Sequence, residues 1–240
     1  MAAPPRFDIA SGHAPPLKRL TPAAQTSAAV WLAGPADPGR ISEDLWSTLS
    51  SDERNRANRF LHARDRSLFA MTHAALRALL SEATSVPADE ILFAEGPYGK
   101  PSLAGMRGPH FNISHSGSYA LIGLSRGRPI GVDIEAMRGT GDELKLAQSF
   151  FSDAEYHALQ CLRDGLLLQA FYKIWTCKEA ILKALGAGIS EHLKDFSVGL
   201  TSGGYVIHSE SNYFSQSLAS PVAAYPVEVP EGYAGCYALV

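Results

Sequence analysis

Apolar residues recur at helical spacing over two long stretches, and these set the frame of the chain. From about Arg64 to Ala83, Leu68, Met71, Ala75, Leu76, Leu79 and Leu80 share a face, which predicts a helix closed by Val86-Pro87. From about Gly165 a second helix is expected, with Ile174, Ile181 and Leu185 on its buried face. Gly186 stands where a left-handed C-cap belongs, and Gly188 loosens the chain beyond it. In this helix Trp175, Glu179 and Lys183 follow one another at four-residue spacing, so with about 3.6 residues per turn they form one stripe. A carboxylate and an ammonium therefore project together. The same spacing describes a solvated Glu–Lys pair worth a few tenths of a kcal/mol, and the helix alone does not choose between the two.

Around these helices the pattern is of short strands and turns. Ala28–Ala33 reads as a buried strand ended by Gly34-Pro35, Ser42 with Asp44 as the start of a small helix, and 51–61 as helical in composition. Ile91–Ala94, Phe111–Ser116, Tyr119–Leu124 and Pro129–Glu135 read as strands. After a Gly139-Thr140-Gly141 linker, Ser152 with Glu155 makes a capping-box helix start. Beyond Gly188 come Phe196–Leu200, Tyr205–His208, Val222–Tyr225 and Tyr233–Val240 as short β segments. Residues 1–26, rich in Pro and Ala, carry no periodicity and are expected to be an irregular arm. The chain is mixed α/β, and both halves combine long helices with short strands, without a repeat visible in the sequence.

Composition narrows the classes. With 240 residues and 46% hydrophobic content the chain can bury a large core, as one domain or two compact lobes. A net charge of −3 argues against general binding to nucleic acid. Three cysteines without a CxxC pair, and no charged leader followed by an apolar run, predict a reduced, cytoplasmic protein. No run of 18 apolar residues is present, so no membrane span is expected.

Candidate chemistry gathers in a few places. Arg54, Arg56 and Arg59 lie within the first short helical stretch and Arg64 and Arg66 open the next; Arg56 and Arg59 are read as sharing a helix face, suited either to grip phosphate or to be a solvated basic face. Gly99-Lys100-Pro101 is no P-loop, because Ala94 replaces the first Gly and Pro101 the Ser or Thr; it reads as a rigid turn that fixes Lys100. Ser114 and His115 sit at a strand end, with no GxSxG elbow around either serine. In Pro129–Glu135, strand alternation sends Asp133 and Glu135 to one face and Val132 and Ile134 to the other. Two carboxylates side by side repel unless a cation compensates them, and such oxygens suit Mg²⁺; the alternative is two exposed acids on an edge strand. No histidine spacing suits zinc.

Taken together, Gly99-Lys100-Pro101, FNISHS at 111–116, GVDIE at 131–135, Phe150-Phe151 with Glu155, and WTCKEAILK at 175–183 resemble, in order, the large two-lobed, Sfp-type (surfactin-activating) 4′-phosphopantetheinyl transferases. With the Arg-rich stretch near Arg59 and Asp65, the resemblance covers roughly residues 50–190. It implies two similar α/β lobes related by a pseudo-twofold, divided here as 27–126 and 127–240, with the active site in the cleft between them. It implies coenzyme A as donor, Mg²⁺ as cofactor, and a serine of an apo acyl or peptidyl carrier protein as acceptor. By the same resemblance Asp133, Glu135 and Glu179 hold the metal against the pyrophosphate, and Lys183 contacts phosphate. Lys100, Ser114 and His115 take the nucleotide end with its 3′-phosphate, helped by Arg56, Arg59 and, at more variable spacing, Arg64.

These roles make physical sense. A serine oxygen attacking the β-phosphate while adenosine 3′,5′-bisphosphate leaves needs charge stabilised on both sides of the phosphorus. Glu179 or a water on the metal is left to take the serine proton. Carrier proteins are acidic, so Lys145, Arg163 and Lys173 are docking candidates. Two other readings stand beside the transferase: a noncatalytic module that binds coenzyme A and a carrier protein, or another Mg²⁺-dependent nucleotide phosphotransferase. A monomer is expected, since one chain supplies both halves of the cleft.

Overall fold

A computed structural model describes residues 17–20, 28–37, 41–96, 98–187, 192–201, 203–211, 214 and 221–240. Gly188 and the rest of the expected N-terminal arm lie outside them. In chain order the first half comprises β1 (Leu17–Leu20), β2 (Ala28–Ala33), α1 (Glu43–Thr48), α2 (Ser51–Ala57), α3 (Ala63–Thr84), β3 (Phe93–Glu95), β4 (Pro101–Leu103), β5 (His110–Ser116) and β6 (Tyr119–Ser125). The second half comprises β7 (Ile130–Ala136), α4 (Glu143–Phe150), α5 (Asp153–Gln160), α6 (Asp164–Leu185), β8 (Phe196–Thr201), β9 (Gly204–Ser209), β10 (Ala223–Pro226) and β11 (Tyr233–Leu239).

From β2 onward the two halves follow one plan. Each runs strand, two short helices, a 22-residue helix, a two-stranded hairpin and two closing strands. The sheets agree as well: β2-β6-β5, with β1 added outside β2, and β7-β11-β10, so in each the first strand pairs with the last. Residues 17–20 depart from the expected irregular arm. Leu20 is buried while Lys18 and Arg19 face out, a pattern that lets β1 pair along β2 as an edge strand.

The layers follow from strand alternation. In the first sheet Trp31, Phe111, Ile122 and Leu124 pack on Ala75, Leu76, Leu79 and Leu80 of α3. Its other face, with Val30, Leu32 and Leu121, meets Ile130, Val132, Ile134, Tyr237 and Leu239 of the second sheet. The far face of the second sheet is covered by α6, whose Cys177, Ala180, Ile181 and Ala184 pack with Cys236 and Ala238. Asp133 and Glu135, one residue out of phase with the shared core, therefore face α6.

Gly131 sets how close that helix comes. A Cβ built there would stand 2.0 Å from the Ala180 carbonyl oxygen and 2.5 Å from the Ala184 nitrogen, so backbone touches backbone. Because neither atom can rotate away, Gly131→Ala is expected to lift α6 off β7 and to cost about 1–3 kcal/mol or more. Urea denaturation together with transfer assays checks this, and an alanine variant with parent stability would mean that the crossing has room to spare.

Between the sheets, the edge strands β5 and β7 meet through side chains that replace a main-chain ladder. Asn112 Oδ1 accepts from the Val132 N–H at 2.9 Å, and Ser116 Oγ from the Ala136 N–H at 3.0 Å. Lys100 Nζ donates to the Ile130 carbonyl at 3.3 Å and the Ala184 carbonyl at 2.6 Å, tying the β3–β4 hairpin to β7 and α6. Among the described residues no helix is long and apolar enough to cross a membrane.

Candidate active site

The close crossing at Gly131 brings the acid pair of β7 under the Glu179–Lys183 stripe of α6. Lys183 Nζ lies 2.6 Å from Asp133 Oδ1 and donates to Ser114 Oγ at 3.1 Å. Ser114 in turn donates to Asp133 Oδ1 at 2.8 Å. Lys183 thus bonds across the seam and not along its own helix to Glu179, so the solvated i,i+4 pair does not form. Nor are Asp133 and Glu135 exposed edge acids, since Asp133 is only 2% exposed.

Electrostatics at the seam are unbalanced. Burial, then the charges of Asp133 and Glu135, push the Glu179 carboxyl up to about 7 against the pull of Lys183. Glu135 is also raised, by burial and Asp133, although the Ser116 hydroxyl, Lys183 and Arg138 oppose the shift. Asp133 Oδ2 is buried without a hydrogen-bond partner. Three carboxylates with one lysine among them leave a deficit of positive charge, and an orphaned buried oxygen marks where it is felt.

Donor chemistry and charge therefore fit a hard cation such as Mg²⁺. Among the described residues no cluster of three or more His, Cys, Asp or Glu side chains is by itself a metal cage. Mg²⁺ does not require a preformed cage, because phosphate oxygens and water complete its shell beside the carboxylates.

Beside this cluster a cavity of about 340 Å³ is lined by Phe60, Arg64, Asp65, Phe69, His115 and Arg138, among others. His115 reaches solvent, yet partial burial and then the charges of Lys183, His73 and Arg56 hold its pKa below the usual value, with Asp65 opposing. Arg56 lays its guanidinium over the Phe69 ring at 5.4 Å. Arg59 does not share a helix face with it, because α2 stops at Ala57 and Arg59 follows the Asn58 C-cap in an exposed turn. Arg64, also exposed, lies 3.7 Å from Asp65.

Lys100 sits apart from these cations. Its ammonium is spent on two main-chain carbonyls, burial lowers its pKa to about 8, and it lines a second cavity of about 630 Å³ between the β3–β4 hairpin and the end of α6. The docking candidates lie on two elements: exposed Lys145 of α4 pairs with Asp142 just before that helix, while Arg163 and Lys173 are exposed at the start and middle of α6. Phe60, Phe69, Arg138 and Ser116 were not singled out from the sequence. For Ser116 a signal was there: it stands two residues after Ser114 on the same strand and so shares its face.

Residues 129–234 match the profile of the 4′-phosphopantetheinyl transferase superfamily, and 41–126 match that of the 4′-phosphopantetheinyl transferase N-terminal region. The chain belongs to the 4′-phosphopantetheinyl transferases. The putative 4′-phosphopantetheinyl transferase slr0495 of Synechocystis is 42% identical over 67% of this chain and 65% of its own, so the match spans just under two thirds of that relative. The transferase HetI of Nostoc is 38% identical over 72% of this chain and 73% of its own. Sfp of Bacillus subtilis is 30% identical over 82% and 78%. The matched regions contain every residue of the Ser114–Asp133–Lys183 cluster of this transferase, together with Glu135 and Glu179.

Proposed function

We propose that this transferase moves the 4′-phosphopantetheine arm of coenzyme A to a serine hydroxyl of an apo acyl or peptidyl carrier protein and releases adenosine 3′,5′-bisphosphate. The observation that carries the reading is the charge-deficient group of Asp133, Glu135 and Glu179 where β5, β7 and α6 meet, in which Lys183 and Ser114 both bond Asp133 and Ser116 bonds Glu135. We assign the seam between lobes 27–126 and 127–240 as the donor cleft. Asp133, Glu135 and Glu179 would hold Mg²⁺, which when bound neutralises the pyrophosphate oxygens.

This chain's own groups do the rest. Lys183 presents an ammonium beside the carboxylates, suited to a phosphate oxygen. Glu179, beside the carboxylates of β7, is a candidate to take the acceptor serine's proton. His115 and Arg64 line the smaller cavity and Arg56 lies over its Phe69 ring, so these three would offer donors to the nucleotide phosphates, with Arg59 sharing the task from its exposed turn. Lys100 braces α6 against β7 from the second cavity. An acidic carrier protein would meet the exposed basic residues Lys145, Arg163 and Lys173. The chain acts as a cytoplasmic monomer in this reading.

Intact mass spectrometry of an apo acyl carrier protein incubated with this protein, coenzyme A and Mg²⁺ tests the proposal. The expected result is a gain of one phosphopantetheine arm that is lost with EDTA. No gain on acyl, peptidyl or aryl carrier proteins would shift the reading to a noncatalytic binding module, and gain that survives EDTA would remove the metal.

A further inference from the structure

Ser116 ends the FNISHS run, beyond the residues that the family resemblance assigns to the nucleotide. Its hydroxyl carries one proton. Ala136 donates its backbone N–H to Oγ at 3.0 Å, and since an N–H can only donate, Oγ accepts there. The proton is then free for the other partner, Glu135 Oε2, at 2.8 Å. Both bonds cross from β5 to β7, and together they fix the rotation of the hydroxyl and pin one oxygen of the Glu135 carboxylate.

The turn that follows is clamped too. Tyr233, from β11, accepts the Ser118 N–H at its hydroxyl at 3.2 Å, and a Cβ on Gly117 would stand 2.4 Å from that hydroxyl oxygen. Gly117 has φ +58°, a conformation glycine adopts without strain. Ser116 is thus held from both sides, by the strand before it and the locked turn after it. Two residues earlier Ser114 makes the corresponding bond to Asp133, so alternate hydroxyls of β5 orient alternate carboxylates of β7.

We propose that Ser116 is a positioning residue for the metal, acting through Glu135: by holding Oε2 it aims the remaining carboxylate oxygen into the site. This rests on the assignment of Asp133, Glu135 and Glu179 as Mg²⁺ ligands. Hydrogen-bond partners of ligating carboxylates typically set affinity by about 10- to 100-fold. Ser116→Ala removes the donor and leaves Glu135 to turn.

Two readouts test this on the full chain: the Mg²⁺ concentration giving half-maximal transfer, and the Mg²⁺-induced rise in melting temperature measured with coenzyme A bound. For Ser116→Ala the half-maximal Mg²⁺ is expected to rise about 10- to 100-fold, with the melting-temperature response displaced to higher Mg²⁺ by the same factor and kcat recovering at saturating Mg²⁺. Ser116→Thr, which keeps the hydroxyl, is expected to restore both, and serves as the informative variant if the alanine protein does not fold. A parent-like Mg²⁺ dependence in Ser116→Ala, or a threonine variant that folds but shows the same weakened Mg²⁺ response as alanine, would overturn the inference while leaving the ligand assignment standing. No Mg²⁺ response in the parent would remove that assignment and the inference with it.

Discussion

Asp133→Ala is expected to lower transfer by at least about 10²- to 10³-fold, the scale on which a single preorganised charge-stabilising group acts in a reaction of this type. Stability is expected to change by only about 1 kcal/mol. The two halves of that statement have different origins. Asp133 is the residue on which the site converges, because Ser114 and Lys183 both bond its Oδ1 and its Oδ2 is buried without a partner. Removing it takes away the central carboxylate and the anchor of the lysine together. Folding loses less, since Asp133 is also one of the charges that push the Glu135 and Glu179 carboxyls upward. Its loss relieves repulsion that the native state carries, and Lys183, about a fifth exposed, can turn to water or keep its bond to Ser114. Glu179→Gln is expected to behave alike: it removes a buried charge that the fold disfavours and the reaction uses. Single-turnover transfer measured beside a urea titration checks both variants. Full activity in either would sink the assignment, and collapse of the fold would mean that the cluster is structural.

Much of this site was legible because its rules are local. Alternation along 130–136 places Asp133 and Glu135 opposite Val132 and Ile134, and four-residue spacing puts Glu179 and Lys183 on one stripe; both hold in the structure. The partner of Lys183 was not legible. A helix read by itself offers Glu179, and only the contact of Gly131 with α6 brings Asp133 within 2.6 Å. The face expected to be shared by Arg56 and Arg59 does not form for the converse reason, since it assumed a helix that ends two residues too soon. The repeated plan of the two halves was expected from the family resemblance and not from residue spacing, because it is kept in element order and sheet order while the loops and most side chains differ.

One part of the repeat survives at the level of residues, and it carries the largest expected stability effect. Glu53 and Glu155 each close a capping box, on α2 with Ser50 and on α5 with Ser152. From the sequence that local role is read for Ser152 and Glu155 alone, and the reading stops there. Each glutamate also pairs with a buried cation at the fifteenth position of its half's 22-residue helix: Arg77 at 2.7 Å and Lys178 at 3.0 Å. Arg77 passes its other donors to the Ala88 and Ile91 carbonyls, and Lys178 to those of Leu193 and Phe196. A phenylalanine ring lies under each, Phe93 at 5.1 Å and Phe196 at 4.4 Å. The same device thus fastens short helix, long helix and following hairpin in both halves.

The two are not equally comfortable. Burial raises the Glu53 carboxyl, but bonds from His73, Arg77 and Ser50 outweigh it and bring the group to about 2. For Lys178 burial prevails over Glu155 and depresses the ammonium. Its neighbour Glu179 is assigned to the site, so the fastener and the proposed metal ligand occupy successive residues, about 100° apart around one helix. Lys178→Met leaves Glu155 and two carbonyls without their donor in a fully buried position, and is expected to cost about 3–5 kcal/mol. Adding Glu155→Gln removes the stranded charge while keeping a cap on α5, so the double variant should be more stable than the sum of the singles by about 0.5–3 kcal/mol. Urea midpoints for the four proteins of that cycle measure it. A Lys178→Met protein within 1 kcal/mol of the parent, or strict additivity, would show that packing and not the ion pair holds α6 in place, and the position of Glu179 would then need another explanation.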